Sequence, residues 1–437
     1  MSTTSSRGLE LFAHAQQLIP GGVNSATRSV GSPHVFREAK GAELVDADGK
    51  RYVDYHAAFG ANLLGYGHEV VVEAVVKAAR EHSLVGLGVS DLEIRCAELV
   101  QELIPSAEQS IITMTGTEAT FQAIRLSRGI TGRDLIVKFQ GCFHGSHDAV
   151  ARNVISPPEL AYGLDPMSAG ILPAALEATL IAEFNDIDSV RALFEAHPEQ
   201  IAAVILEPIP HNVGALIPTP EFLTGLRELT TSEGTLLIFD EVVTGFRHAP
   251  GGYQEVCGMT PDLTTYGKGM GNGMPIAGLA GRRDLMQHFS SAGGDVLLAG
   301  TFNGNPTSVA AAIATMTYLR DTPSYYENTY ALGERMRAGL RAIVSSLGIT
   351  AQVAGAGGVF LCYFLEGEVR GYRDLMRNDN VAYATFHRRM IDAGFYMLPL
   401  ALKRNHISGV HTEEHIDATL EAAQSVLAGM QAEGLCG

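Results

Sequence analysis

The sequence predicts an α/β fold built on a largely parallel, buried β-sheet. From about residue 109, short apolar runs alternate with segments whose apolar residues recur at helical spacing, an alternation typical of strands joined by crossover helices. Polar residues follow each run directly, and open α/β sheets bind ligands at the carboxyl ends of their strands. The predicted strands are residues 110–114, 135–139, 202–206, 236–239, 263–266 and 276–280.

Before this region, the sequence predicts a helix, a hairpin and a second helix. Apolar residues at helical spacing predict a helix over 9–19, which Pro20-Gly21-Gly22 ends. Strands at 43–46 and 51–55 flank Asp48-Gly49, a pair that favours the positive φ angles of a tight hairpin turn. The valines at 71, 72, 75 and 76 predict an amphipathic helix.

Later helix boundaries are marked by capping residues. Thr219 and Pro220 suit the N-cap and the first helical position of one helix. Beyond about residue 320, two long helical stretches flank a predicted strand at 358–364. The last helix begins after Thr412 as N-cap, with two glutamates in its first turn, where the helix dipole favours negative charge.

Composition excludes several classes of protein. The 437 residues indicate several domains, since domains average about 150 residues, and 46% hydrophobic against 18% charged residues exclude general disorder. The 31 basic and 48 acidic side chains give a net charge of −17, and an acidic chain repels nucleic-acid phosphates. The five cysteines form no CxxC pair, so neither a disulfide framework nor a zinc knuckle is indicated.

Targeting signals are also absent from the sequence pattern. The segment MSTTSSRG at the start is polar and has no signal-peptide core. No apolar run reaches the roughly 18 residues that a membrane span needs. We therefore expect a soluble, cytoplasmic protein that binds neither nucleic acid nor membrane.

One lysine has a distinctive position. The chain has six lysines, and Lys268 alone lies at the end of a predicted strand within a glycine-rich turn, GKGMGNG at 267–273. This turn contains neither the GxxxxGK(S/T) nor the GxGxxG pattern, so it is not predicted to be a phosphate loop. It is either a flexible loop with a solvated lysine or a place where backbone closely approaches a ligand.

Two further features combine with this lysine. Asp240 follows the apolar run 236–239, where a carboxylate is costly unless it has a partner; a helix cap or an ion pair with Arg247 is the alternative interpretation. Thr115-Gly116-Thr117 follows another strand and opens a helix, an arrangement that suits a bound anion. Together these parts suit pyridoxal phosphate, which needs a Schiff-base lysine, a carboxylate for its pyridinium nitrogen and a phosphate cradle.

These features lie within longer motifs that cover nearly the whole chain. The motifs are GGVNSATR (21–28), DADGKRYVDY (46–55), TGTEATFQAIRLSRG (115–129), GCFHG (141–145), ILEP (205–208), LLIFDEVVTGFR (236–247), PDLTTYGKGMGNGMP (261–275), GTFNGNP (300–306) and HTEEHI (411–416). In this set and order, the sequence resembles the class III, fold-type I pyridoxal-phosphate enzymes. The resemblance is greatest to the glutamate-1-semialdehyde aminomutase branch.

The resemblance implies an architecture and a set of cofactor contacts. It implies a large, mainly parallel α/β/α domain at 66–320 and a smaller α+β domain formed from 1–65 and 321–437. Lys268 would be the Schiff-base lysine and proton shuttle, and Asp240 would pair with the pyridine nitrogen. The enzyme would be a homodimer in which Thr301 of the partner subunit reaches the phosphate. The other implied cofactor contacts are Thr115, Gly116, Thr117, Phe143, His144, Glu207, Asn212 and Val242.

On the substrate side, the resemblance implies that Arg28 holds a carboxylate, a role that suits its planar guanidinium; a solvated arginine after a turn is the alternative. Ser25 is expected to add a hydroxyl. Phe59 replaces the tryptophan common in the aminomutases and keeps an apolar wall. Lys403, with Arg404 beside it, lies where the aminomutases have a glutamate, and this reversal of charge is expected to change which substrate fits.

The resemblance leaves the reaction open between several outcomes. The segment SPPELAYGLDPMSAG at 156–170 departs from the glycine-rich lid of an aminomutase, and such a lid retains the reaction's intermediate. We therefore expect an ordinary transaminase that moves an amino group from an amino acid or amine to a keto acid by a ping-pong mechanism. Glutamate-1-semialdehyde 2,1-aminomutase and a class III racemase are the alternatives within the family.

A remote alternative from another class is a metal hydrolase that uses His144, His147 and Asp148. Two metal ligands three residues apart are common by chance, and no HExxH motif accompanies them. No metal site is therefore predicted.

Overall fold

The structure, a computed structural model, describes residues 6–30 and 34–436. Its N-terminal part contains an antiparallel meander whose second turn is the predicted hairpin at Asp48-Gly49. Helices precede and follow the meander. The bounds are α1 (Arg7–Leu18), β1 (Phe36–Lys40), β2 (Glu43–Asp46), β3 (Arg51–Asp54), α2 (Ala57–Gly60), α3 (Glu69–Glu81) and α4 (Asp91–Leu103).

A seven-stranded sheet forms the centre of the molecule. Its strands are β4 (Gln109–Thr113), β5 (Leu135–Phe139), β6 (Thr179–Ala182), β7 (Ile201–Leu206), β8 (Leu236–Glu241), β9 (Leu263–Gly267) and β10 (Ala277–Gly281). They lie in the order β4-β10-β9-β8-β7-β5-β6, and within this sheet only β10 pairs antiparallel with its neighbours. The prediction of a largely parallel sheet is confirmed. Strand β6 was not predicted; its residues directly follow the apolar residues of the short helix at Pro173–Glu177, so no change of pattern marks where the strand begins.

Helices cover both faces of this sheet. Alternate residues of the inner strands fall into two hydrophobic cores, so β7 and β8 are buried along their whole length, as is usual for parallel strands covered on both faces. Thr219 caps its helix as predicted, since its hydroxyl accepts from the Phe222 amide at 3.2 Å. The bounds are α5 (Gly116–Thr131), α6 (Pro173–Glu177), α7 (Ile187–Ala196), α8 (Pro220–Ser232), α9 (Tyr253–Cys257), α10 (Arg283–Met286) and α11 (Pro306–Asp321).

The two ends of the chain pack against each other. The C-terminal elements are α12 (Ser324–Leu347), β11 (Gln352–Ala354), β12 (Val359–Tyr363), α13 (Tyr372–Leu375), α14 (Asn380–Asp392), β13 (Phe395–Tyr396), β14 (Asn405–His406) and α15 (Glu413–Ala432). Strand β13 pairs in parallel with β3, and Tyr55 lies in one hydrophobic core with α12 and α15. The domain boundaries at residues 65 and 320 stay a prediction. Among the described helices, none is both long and apolar enough to cross a membrane.

Candidate active site

The predicted site residues meet at the carboxyl ends of neighbouring strands. Glu207 follows β7, Asp240 lies at the end of β8, and Lys268 follows β9. Because these three strands are adjacent and parallel, their ends form one edge of the sheet. Lys268 lines a cavity of about 580 Å³, which we take as the candidate active site.

Lys268 presents an amine without a partner among the residues that the structure describes. In the described part of the chain, no group lies within hydrogen-bond distance of its Nζ. Burial and the positive charge of Arg404 lower the pKa of Lys268 to about 8, while Asp240 and Glu207 oppose this change. The φ angle of Lys268 is 42°, and strain of this kind, which costs about 1–3 kcal/mol, is concentrated at active sites.

Asp240 is buried and accepts three hydrogen bonds. Its Oδ1 accepts from the Thr265 hydroxyl at 3.0 Å and from the Val242 amide at 3.1 Å. Its Oδ2 lies 2.7 Å from Nδ1 of His144, and a neutral imidazole donates to a carboxylate only from a protonated nitrogen. These donors satisfy a carboxylate that burial would otherwise make costly. Asp240 therefore pairs with His144, and the ion pair with Arg247 is not formed.

His144 and Glu207 both act on other site residues. The His144 side chain is fully buried beside Asp240, so it contacts this carboxylate and does not line the cavity. Glu207 accepts from the Phe143 amide at 2.7 Å and from the His211 amide at 3.2 Å. Burial raises the pKa of Glu207, an effect that the hydrogen bond from the Phe143 amide opposes. Through this contact, Glu207 holds the loop that places the Phe143 ring in the cavity.

The N-terminus of α5 has the geometry predicted for an anion site. Thr115 is the N-cap, and its hydroxyl accepts from the Glu118 amide at 3.2 Å. A Cβ added to Gly116 would lie 2.8 Å from Cγ1 of Val242. Only glycine therefore allows the loop after β8 to pack this closely against the helix end.

A second glycine at this helix end was not among the predicted site residues. A Cβ added to Gly145 would lie 2.7 Å from Oγ1 of Thr117 and 2.8 Å from its Cα. Gly145 has a φ of 107°, a backbone angle that glycine adopts without strain. Its place in the motif GCFHG was the available signal in the sequence.

Two cations lie in the cavity without a carboxylate partner among the described residues. The Asn212 Oδ1 accepts from Nη1 of Arg404 at 3.1 Å and lies 3.4 Å from Nζ of Lys403. Burial lowers the pKa of Lys403 to about 8 and that of Arg404 to about 10, and repulsion between the two adds to the effect on Lys403. Arg404 was not predicted as a site residue, and its only signal was its position beside Lys403.

The rest of the cavity lining is mostly apolar. Part of it comes from the segment that was expected to differ from the lid of an aminomutase. Backbone hydrogen bonds join this segment to the residues just before it, since the Asn153 amide donates to Asp165 O and the Met167 amide to Ala151 O, both at 2.9 Å. Besides Lys268, Lys403 and Arg404, the lining residues are Ser25, Thr27, Phe59, Phe143, Val154, Ile155, Asp165, Pro166, Met167, Asn212 and Leu400.

Two predicted residues lie outside this cavity. Arg28 is exposed and does not line it, whereas the neighbouring Thr27 does. Thr301 is exposed on a loop that lines a different cavity together with residues 83–90. The substrate contact of Arg28 and the reach of Thr301 into a second protomer stay predictions.

The residues of the remote metal-hydrolase alternative do not converge. His144 pairs with Asp240, and Nε2 of His147 lies 3.3 Å from the Thr120 hydroxyl. Within residues 6–30 and 34–436, no group of three or more His, Cys, Asp or Glu side chains could hold a metal ion.

The fold and site define an enzyme of the class III aminotransferases. The family model described as Aminotransferase class-III matches residues 25–426, and the chain therefore belongs to this family. It is 41% identical to glutamate-1-semialdehyde 2,1-aminomutase of Acetivibrio thermocellus over 423 residues, 96% of this chain and 97% of that one. An ω-transaminase from Sphaerobacter thermophilus has a similar structure, with a TM-score of 0.91, 32% identity and coverage of 97% and 98%. A transaminase solved with PLP bound is also similar, with a TM-score of 0.88, 29% sequence identity and coverage of 98% of each chain.

Proposed function

We propose that this class III aminotransferase uses pyridoxal phosphate to transfer the amino group of a carboxylate-bearing amino compound. The observation that carries the proposal is that one cavity holds the amine of Lys268 and the buried guanidinium of Arg404. Within residues 6–30 and 34–436, the amine has no hydrogen-bond partner and the guanidinium has no carboxylate partner. Such an amine can bind the cofactor covalently. A guanidinium suits a carboxylate, because the two form parallel hydrogen bonds.

The residues present suit this cofactor. Lys268 would hold its aldehyde carbon, and the N-terminus of α5 with Gly116 and Thr117 would hold its phosphate. Asp240 would face its ring nitrogen, and Phe143 offers a ring for stacking. When bound, pyridoxal phosphate supplies an electron sink that stabilises negative charge on the substrate carbon.

The protein's own groups hold and move the protons. Because the pKa of Lys268 is about 8, its neutral amine becomes more abundant as the pH rises from 7 to 9, and proton removal by Nζ should increase over the same range. Asp240, fixed by its three donors, would hold a proton at the ring nitrogen of the bound cofactor. His144 and Glu207 act indirectly, since they orient Asp240 and Phe143.

Replacing Gly145 by alanine is expected to weaken cofactor binding. The added Cβ would displace Thr117 from the end of α5, and we expect an affinity loss of about tenfold or more, equal to about 1.4 kcal/mol. Titration of the apoenzyme with pyridoxal phosphate, followed by absorbance, measures it. Gly132→Ala is the matched control, because Gly132 at the other end of α5 also has a positive φ and has nothing within 4 Å of an added Cβ. Equal affinities of the two variants would contradict the role of Gly145.

The first candidate reaction is intramolecular amino transfer by a glutamate-1-semialdehyde 2,1-aminomutase. The 41% identity to the Acetivibrio thermocellus enzyme extends over nearly the whole of both chains. This similarity supports the aminomutase better than the ordinary transaminase that we expected from the sequence.

The second candidate reaction is intermolecular transfer to a keto acid. It is supported by the charge of the cavity, where Lys403 and Arg404 occupy the region expected to carry a glutamate in an aminomutase. It is also supported by the apolar side chains of Val154, Ile155 and Met167, for which glutamate-1-semialdehyde has no matching group.

One assay separates the two reactions. Purified holoenzyme is given glutamate-1-semialdehyde alone, and a panel of amino acids and amines with and without a keto acid. The aminomutase isomerises the semialdehyde without any acceptor. The transaminase consumes one keto acid for each amino group that it removes. A holoenzyme that does neither with any compound of the panel would contradict the proposed function.

The proposal includes a homodimer. Several large apolar side chains near Thr301 are exposed in the single chain, and two of them, Leu87 and Leu297, have 88% and 72% of their surface accessible. Thr301 and Leu87 line one cavity. A second copy of the chain would cover this surface, as oligomer interfaces typically bury such patches. Light scattering of the holoenzyme measures the mass that decides between monomer and dimer.

A further inference from the structure

The turn of α2 beside the cavity has an unusual backbone. Ala57, Ala58 and Phe59 have φ angles of 49°, 50° and 59°, and Gly60 follows at 85°. A left-handed helical conformation costs a non-glycine residue about 1–2 kcal/mol. Three such residues in succession persist only where other contacts stabilise them.

Asp54 and His56 supply the contacts that hold this turn. The buried Asp54 carboxylate accepts from the amides of His56 and Ala57 and from the Tyr66 hydroxyl, each at 2.9 Å. The Phe59 amide donates to Nδ1 of His56 at 3.2 Å. Burial, with nearby positive charges, lowers the pKa of His56 to about 3, so its imidazole is neutral and keeps this acceptor at neutral pH.

The turn directs its carbonyl groups at two buried guanidinium groups. Phe59 O accepts from Nη2 of Arg404 at 2.9 Å, and Gly60 O accepts from Nη2 of Arg247. The other acceptors of Arg404 are Oδ1 of Asn212 and Nε2 of His406, so every acceptor that it has among the described residues is neutral. Neutral acceptors fix a guanidinium without cancelling its charge, whereas a carboxylate would occupy the group that a substrate anion needs.

We propose that Asp54 and Gly60 are positioning residues that hold Arg404, through the left-handed turn, in the orientation in which it binds the substrate carboxylate. Gly60 is required here because an added Cβ would lie 2.7 Å from Nε2 of His406 and 3.0 Å from Nη2 of Arg247. The inference rests on the proposed function. It assigns an anion contact to Arg404, which lines the cavity.

The test compares Gly60→Ala with Gly67→Ala in the holoenzyme. Gly67 has a φ of 63° and nothing within 4 Å of an added Cβ. Gly67→Ala therefore places alanine at a positive φ angle, as Gly60→Ala does, but without a steric clash. Calorimetric titration with glutarate, a simple dicarboxylate, should show binding weakened about tenfold or more by Gly60→Ala, about 1.4 kcal/mol, and little changed by Gly67→Ala. In Gly60→Ala, KM for carboxylate-bearing substrates should rise by a similar factor. KM for an amine without a carboxylate should rise less than KM for carboxylate-bearing substrates, and the absorbance of the bound cofactor should be the same in both variants.

A second variant covers the case in which Gly60→Ala does not fold. Tyr66→Phe removes one of the three hydrogen bonds to Asp54 and should weaken glutarate binding several-fold with the same selectivity. Unchanged glutarate binding in the folded variants, or an equal loss with carboxylate-bearing and carboxylate-free substrates, overturns the inference. Because the titration needs no turnover, the two proposals can fail separately. If wild-type holoenzyme binds glutarate, Gly60→Ala weakens this binding, and no amino group is transferred, only the proposed function is overturned.

Discussion

Replacement of Lys268 by alanine is expected to leave a folded protein that transfers no amino group at a measurable rate. The fold should persist, because Nζ makes no hydrogen bond within the described residues. Activity should fall by at least about 10³-fold, since proton transfer by a positioned group contributes 10²–10⁴-fold and the covalent attachment of the cofactor is lost as well.

Steady-state rates and the absorbance of the bound cofactor measure this loss. Lys77→Ala on α3 is the control for removing a lysine, because Lys77 is exposed and lies outside the cavity. Lys403→Ala removes the other lysine of the cavity and should alter KM while the cofactor stays covalently attached. A Lys268→Ala enzyme with wild-type turnover would rule out the assignment of this residue.

Replacement of Asp240 by asparagine is expected to lower kcat by about 10²–10³-fold, the usual effect of removing one preorganised electrostatic group. The amide is neutral, so it cannot hold a proton at the ring nitrogen of the cofactor. The amide also has one oxygen where the carboxylate has two. One of the groups that donate to Asp240, such as the Thr265 hydroxyl or His144, therefore loses its acceptor. Stability should therefore fall by about 1–3 kcal/mol.

Single-turnover rates and thermal unfolding separate these two effects. Asp262→Asn is the matched control, because Asp262 is also buried and hydrogen-bonded but pairs with Arg227 and Arg282 away from the cavity. It should lower the melting temperature without a comparable loss of kcat. If both variants lose kcat in proportion to their stability, Asp240 has no electrostatic role.

The central sheet could be predicted from the sequence because its signals are local. A buried parallel strand is a short apolar run, and five of the six predicted runs differ from the observed strands by at most two residues at either end, as with β8 (Leu236–Glu241) against 236–239. The sixth, 135–139, is identical to β5. Parallel strands with right-handed crossovers bring their carboxyl ends to one edge. The meeting of Lys268 and Asp240 therefore followed from the order of the runs.

The hydrogen-bond partners of the site residues could not be predicted in the same way. His144 and Asp240 are 96 residues apart in the chain, and Arg404 and Phe59 are 345 apart. No periodicity or motif spacing specifies contacts over such distances. The structure places His144 beside Asp240 and Arg28 outside the cavity. The cofactor contact of His144 and the substrate contact of Arg28, which came from motif position, stay predictions.

The sequence by itself thus determined the class of fold, the lysine and carboxylate at the strand ends, and the family. The tertiary structure alone decided which cation faces the cavity and how it is held. The physical reason is clearest in α2, where Ala57 and Ala58 have positive φ angles that the local preference of alanine opposes. Such a conformation exists only when hydrogen bonds to distant parts of the chain, here those that the guanidinium groups of Arg404 and Arg247 donate to Phe59 O and Gly60 O, outweigh that preference.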